Sequence, residues 1–135
     1  MGLGSDLTAD EIRALRDALG SLGRDSGREI TLDGLLNRWS LLVASVERGY
    51  DDTIYDYLNE LAVREHLQML LDRSSSSLRA KLDDLIGPWD RRFFEATTPT
   101  RRPLIARQTS EFWWNRVPTR LLGELKADVE ASGLV

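Results

Sequence analysis

His66 is the chain's one imidazole, and no catalytic or metal-binding partner stands at helical spacing from it. A Glu-x-x-His metal pair needs a carboxylate at position 63, which is Val63, and an HExxH helix needs a second histidine. General-base work would require an orienting carboxylate or carbonyl that spacing does not supply. His66 therefore reads as a flank residue of a helix. Carboxylate pairs exist at Asp51–Asp52, at Asp83–Asp84, and at Asp52 with Asp56 one turn on. Acidic residues at a helix start ordinarily complement its macrodipole. Oxygen-rich metal sites draw their carboxylates from several elements rather than from one exposed turn. There is no cysteine, hence no thiolate nucleophile, no Cys-based metal site and no disulfide framework, which fits a reducing compartment. Neither a GxGxxG turn nor a P-loop lysine occurs. No catalytic residue, cofactor or metal is expected.

Two polar constellations remain. Asp52, Asp56 and Glu60 recur every fourth residue, opposite Ile54, Tyr57, Leu58 and Leu61. Such a stripe is ordinarily the solvated side of a helix, and it is also a surface that a basic partner would fit. Asn59, Arg64 and Asp90 sit among apolar neighbours, Asp90 between Trp89 and Phe93. They make either a structural pair, Arg64 with Asp90, or a small polar pocket; the pair is the simpler reading.

The elements that must position these residues are helical. Thr8 and Glu11 form a capping box, Leu7 and Ile12 a hydrophobic staple, and Ile12, Leu15, Leu19 and Leu22 one stripe, with Gly20 and Gly23 expected to end the helix. Thr31 caps a second helix burying Leu32, Leu35, Leu36, Trp39, Leu42, Val43 and Val46, and Gly49 follows it. The next stretch changes face. At about 3.6 residues per turn, Ile54, Tyr57, Leu58 and Leu61 share one side. Val63, Leu67, Leu70 and Leu71 take the side where Asp52, Asp56 and Glu60 stood. A helix packed on one side cannot do this, so a corner is expected near residues 59–62, with Asn59 capping a second helix. The alternative is one straight helix held between two layers. Leu78, Leu82, Leu85, Ile86, Trp89 and Phe93 keep their phase through Gly87–Pro88, which predicts a kink at Pro88 rather than a turn. Residues 96–110 read as a loop and 1–6 as a flexible N-terminus. "EFWWNRVP" reads as a short extended piece, and Pro118 as the first turn of a last helix with the stripe Leu121, Leu122, Leu125 and Val129.

The 135 residues make one domain, long enough to bury a core without staples. The expected fold is all-α, a single compact domain of five to seven short helices. Eighteen basic residues stand against 22 acidic ones. The "RRPLIARQTSEFWW" mixture of arginine and aromatics, which single-strand binders use, is therefore read as a lid on the core, and nucleic acid is not the expected partner. Charge is uneven: residues 50–73 hold six acidic and two basic residues, residues 88–126 eight basic and four acidic. Either the molecule is polarised or the two regions face each other. No signal peptide is expected from the first residues, and no apolar run approaches the about 18 residues of a membrane span.

Gly49-Tyr50, Tyr57-Leu58-Asn59-Glu60-Leu61 with Val63-Arg64, Trp89-Asp90 with Phe93 and Ala96-Thr97, and Trp113-Trp114 with Pro118 together resemble a group of small uncharacterised bacterial all-helical proteins. The resemblance spans about residues 32–130 and implies a helical fold, but no activity, cofactor or partner. The expected function is thus a non-enzymatic protein-interaction module, such as an immunity protein or antitoxin-like inhibitor. Its partner would be a protein with a basic surface, met in the cytoplasm through Asp52, Asp56 and Glu60, and a homodimer is compatible with the sequence. The alternative is a small-molecule-binding or hydrolytic domain using a polar pocket near Asn59, Arg64 and Asp90.

Overall fold

Helix α1 (Ala9–Ser26) begins at a capping box. The amide of Glu11 donates to Thr8 Oγ1 at 3.1 Å and the amide of Thr8 to Glu11 Oε1 at 2.9 Å, which satisfies two orphan donors at once. In the computed structural model, which describes residues 7–100, 113–114, 116–120 and 123–133, α1 does not end at Gly20 or Gly23. It runs to Gly27, whose φ of 71° terminates it. Gly23 serves close approach instead: a Cβ there would stand 2.8 Å from the carbonyl oxygen of Arg28.

Helix α2 (Leu32–Arg48) is capped by Thr31, which accepts from the amide of Gly34 at 3.0 Å, and ends at Gly49 with φ of 107°. Leu32, Leu35, Trp39, Leu42, Val43 and Val46 are buried, as their spacing predicts, and Leu36 is half-buried.

Helix α3 (Ile54–Asp72) is continuous. The corner expected near residues 59–62 does not exist, and the cap is Thr53, which accepts from the amide of Asp56 at 3.1 Å. The change of face is real, and its cause is that different neighbours cover the two ends. At the start, the amide of Ile54 donates to Asp128 of the last helix and the Tyr57 hydroxyl to the carbonyl of Arg116. At the end, Arg73 donates to Ser21 and pairs with Asp25 on α1. Tyr57 and Leu61 are thus buried in one half, Val63, Leu67, Leu70 and Leu71 in the other. A straight helix between two layers satisfies both.

Helix α4 (Ser76–Glu95), capped by Ser75, runs through Pro88 with Leu78, Leu82, Ile86 and Phe93 buried. The loop expected at 96–110 holds a strand, β1 (Thr97–Pro99), antiparallel to β2 (Arg116–Pro118), with Thr97 opposite Pro118. Three-residue strands are too short to show a period of two. Residues 1–6 and 101–110 lie outside the described residues. Pro118 belongs to β2 rather than to a helix, and α5 (Gly123–Ser132) starts five residues later. Its first residue is set by a close approach, since a Cβ on Gly123 would stand 2.9 Å from the carbonyl oxygen of Asp51, which accepts from the amide of Glu124. Leu125 and Val129 are buried as expected, while Leu121 and Leu122 lie outside the described residues.

The fold is all-α, with five helices and one two-stranded sheet among the described residues. α3 is central, packing on α1, α2, α4 and α5. No helix among the described residues is long and apolar enough to cross a membrane.

Candidate functional site

The acidic residues read from the sequence lie where α2 hands over to α3. Asp52 precedes the helix, and Asp56 and Glu60 stand on it; all three are exposed. The lead-in and the first turn are fixed. The Thr53 hydroxyl donates to Asp56 Oδ2 at 3.0 Å, and the Tyr50 hydroxyl donates to the Glu60 carboxylate. Tyr50 is itself buried, edge-on to Tyr57 at 5.2 Å. Burial first, then the Glu60 bond and the charges of Glu60, Asp52 and Asp56, push the Tyr50 phenol far above its ordinary value.

Two residues that the sequence reading passed over complete the surface. Tyr55 is 77% exposed and Leu41 59%. Along the helix, Tyr55, Asn59, Asp56 and Glu60 make one continuous exposed strip. Beyond Glu60 a shallow cavity of about 190 Å³, lined also by Leu41, Leu42, Ser45 and Arg38, carries the strip onto α2. The signal for both was present, because each falls out of phase with its own helix's buried stripe. A phenol and a leucine left in water, with carboxylates between them, have the chemistry of a docking edge.

The second constellation divides. Arg64 and Asp90 come together, and Asn59 faces solvent on the strip. Arg64 Nε and Nη2 donate to the two oxygens of Asp90, each at 2.8 Å, and Nη1 donates to Gln68 at 3.3 Å. Asp90 Oδ1 also accepts from the indole of Trp39 at 3.0 Å. The guanidinium, 3% exposed, lies 5.5 Å and 4.9 Å from the ring centroids of Trp113 and Trp114. A bidentate pair flanked by indoles joins α2, α3 and α4. Each of the three guanidinium nitrogens has an acceptor, and four cavities along α1, α2 and α4 among the described residues are lined by other residues.

His66 is half-buried and lines a cavity of about 150 Å³ with Arg28 and Arg38. Its Nδ1 is buried without a hydrogen-bond partner. Burial, then the charges of Arg28 and Arg38, lower its pKa, and Glu65 opposes them. Asp83 and Asp84 are exposed on α4. Among the described residues no three His, Cys, Asp or Glu side chains are grouped to hold a metal.

Two of the described basic residues of the 88–126 segment, Arg92 and Arg116, have partners within the fold. Arg92 pairs with Glu47 and lies over Trp89, and Arg116 donates to Thr97 and lies over Phe94. An ion pair between the acidic and basic segments, Arg64 with Asp90, runs against the net charge of each.

Comparison of the chain with protein-family models, with curated proteins and with solved structures gives no match.

Proposed function

We propose that the protein is a non-enzymatic interaction module whose acidic strip docks the basic surface of a partner protein, in the manner of an immunity protein or antitoxin-like inhibitor. The observation that carries this reading is Tyr55, 77% exposed on a well-packed helix and flanked by the exposed carboxylates of Asp52 and Asp56. Tyrosine supplies contact area at low entropic cost and is enriched where binding energy concentrates. Carboxylates around it steer a basic partner and raise the rate of encounter. The strip is also pre-organised: α3 is held on several sides, so docking orders few additional groups. The pocket reading draws less support, because Arg64 and Asp90 satisfy each other and Asn59 stands apart from them.

The test is capture from the native cell extract across a salt series, with wild type, Tyr55→Ala and the double reversal Asp52→Lys/Asp56→Lys side by side. One retained basic protein is expected, bound by wild type at low salt and lost as the Debye length shrinks below about 8 Å. Both variants should keep the fold and lose the partner. Equal capture by all three would remove the strip from the interface. Concentration-dependent dimerisation that Tyr55→Ala abolishes would reassign the strip to self-association.

A further inference from the structure

At the opposite end of α2 from the acidic strip, an open cavity of about 620 Å³ lies between the second half of α1 and the connection at residues 28–31. Leu19, Gly20, Gly23 and Ile30 give it an apolar floor, and Arg16, Arg24 and Arg28 stand on its rim with a single carboxylate, Glu29. The two glycines differ in kind. Gly23 is required by the carbonyl of Arg28, as described above. At Gly20 a Cβ would meet only the Arg24 guanidinium, at 3.4 Å, and the backbone is ordinary helix. Glycine inside a helix is unfavourable relative to alanine, and nothing in the packing asks for it here. What its missing side chain does is leave room beneath Arg24.

The rim arginines have no ion-pair partner among the described residues. An apolar lining with a few polar groups, at this volume, is the make-up of small-molecule sites. The sign of the rim selects the ligand: three guanidinium groups against one carboxylate favour an anion, and the floor favours an apolar body. We propose that this cavity binds a small amphipathic organic anion, a medium-chain or aryl carboxylate. Its body rests on Leu19, Gly20 and Gly23, and its head lies among Arg16, Arg24 and Arg28. The site is independent of the acidic strip.

The experiment is an NMR titration of the full chain with octanoate, with octanol and octylammonium as matched probes. Octanoate should shift amides of residues 16–31 saturably and bind at least about tenfold tighter than octanol, the equivalent of about 1.4 kcal/mol; octylammonium should leave them unmoved. Gly20→Leu should fill the floor and abolish octanoate binding while the fold is retained. Arg24→Gln/Arg28→Gln, which changes only exposed side chains, should weaken it about tenfold, and it decides the matter if Gly20→Leu does not fold. Indifference to the sign of the head group, unchanged binding in the arginine double variant, or shifts scattered over the chain would overturn the proposal.

Discussion

Lys81 Nζ lies 2.7 Å from Glu11 Oε1, so the carboxylate that closes the cap of α1 is also gripped by α4. The bond to Lys81, then that to the Thr8 amide, lowers the pKa of Glu11 from 4.5 to about 2. A depressed carboxylate stabilises the fold above its unfolded value and loses that contribution as pH falls toward the folded one. Thermal midpoints should therefore decline between about pH 4.5 and 2. Glu11→Gln should show a shallower decline over that window; a decline as steep as wild type would mean that the Lys81 contact is not maintained in solution.

Arg64 and Asp90 should behave as one unit. Removing one partner strands the other, and Asp90→Ala also leaves the Trp39 indole without its acceptor. A loss of about 3–5 kcal/mol in urea unfolding is expected for Asp90→Ala. Replacing both, as Arg64→Met/Asp90→Leu, should recover much of it, because no charge is then left uncompensated. Additive losses in the double variant would show that packing, not pairing, is what Arg64 supplies. Trp39→Ala should cost about 3–5 kcal/mol by cavity formation.

His66 has its folded pKa lowered by burial and by Arg28 and Arg38, with Glu65 opposing. Here the unfolded chain takes up the proton more readily, so stability is present above the unfolded value of 6.5 and falls as pH drops below it. Comparing urea midpoints of wild type and His66→Gln at pH 7.5 and 5.5 isolates this contribution. The variant should lose less on acidification. An identical loss in both would assign the acid sensitivity to carboxylates alone.

Tyr50 and Tyr57 are the alkaline counterpart. Burial raises both phenols, helped at Tyr50 by the Glu60 bond, and the Tyr57 hydroxyl donates to the carbonyl of Arg116 at 2.5 Å. A raised phenol stabilises the fold below its unfolded value, near 10, and withdraws that support above it. Phenolate absorbance from these two should appear together with the loss of helical circular dichroism. Tyr57→Phe should remove one of the two late-ionising phenols; early ionisation of either in the native fold would contradict their burial.

The helices were legible because caps and stripes are local. Thr8 with Glu11, Thr31, and the run from Leu32 to Val46 need no knowledge of the rest of the chain. The exposure of Asp52, Asp56 and Glu60 was legible for the same reason, although Asp52 precedes the helix rather than standing on it. The misreading at residues 59–62 arose because the phase of α3 records two neighbours, α1 and α5, that no local window contains. Gly20 and Gly23 misled because glycine marks close approach as well as termination. The strand pair was hidden by its length. Tyr55 and Leu41 were overlooked because attention to the apolar stripe discards the apolar residues that fall outside it.

The central position of α3 also decides where substitutions can accumulate. With core on more than one side, most of its positions answer to packing, and drift among related chains is expected at its exposed residues, chiefly Tyr55, Asp56, Asn59, Glu60 and Met69. Asp56 and Glu60 accept from Thr53 and Tyr50, but packing gives no reason to hold Tyr55, Asn59 or Met69. If relatives of the chain keep an aromatic residue at position 55 while position 69 wanders, the constraint has come from outside the molecule.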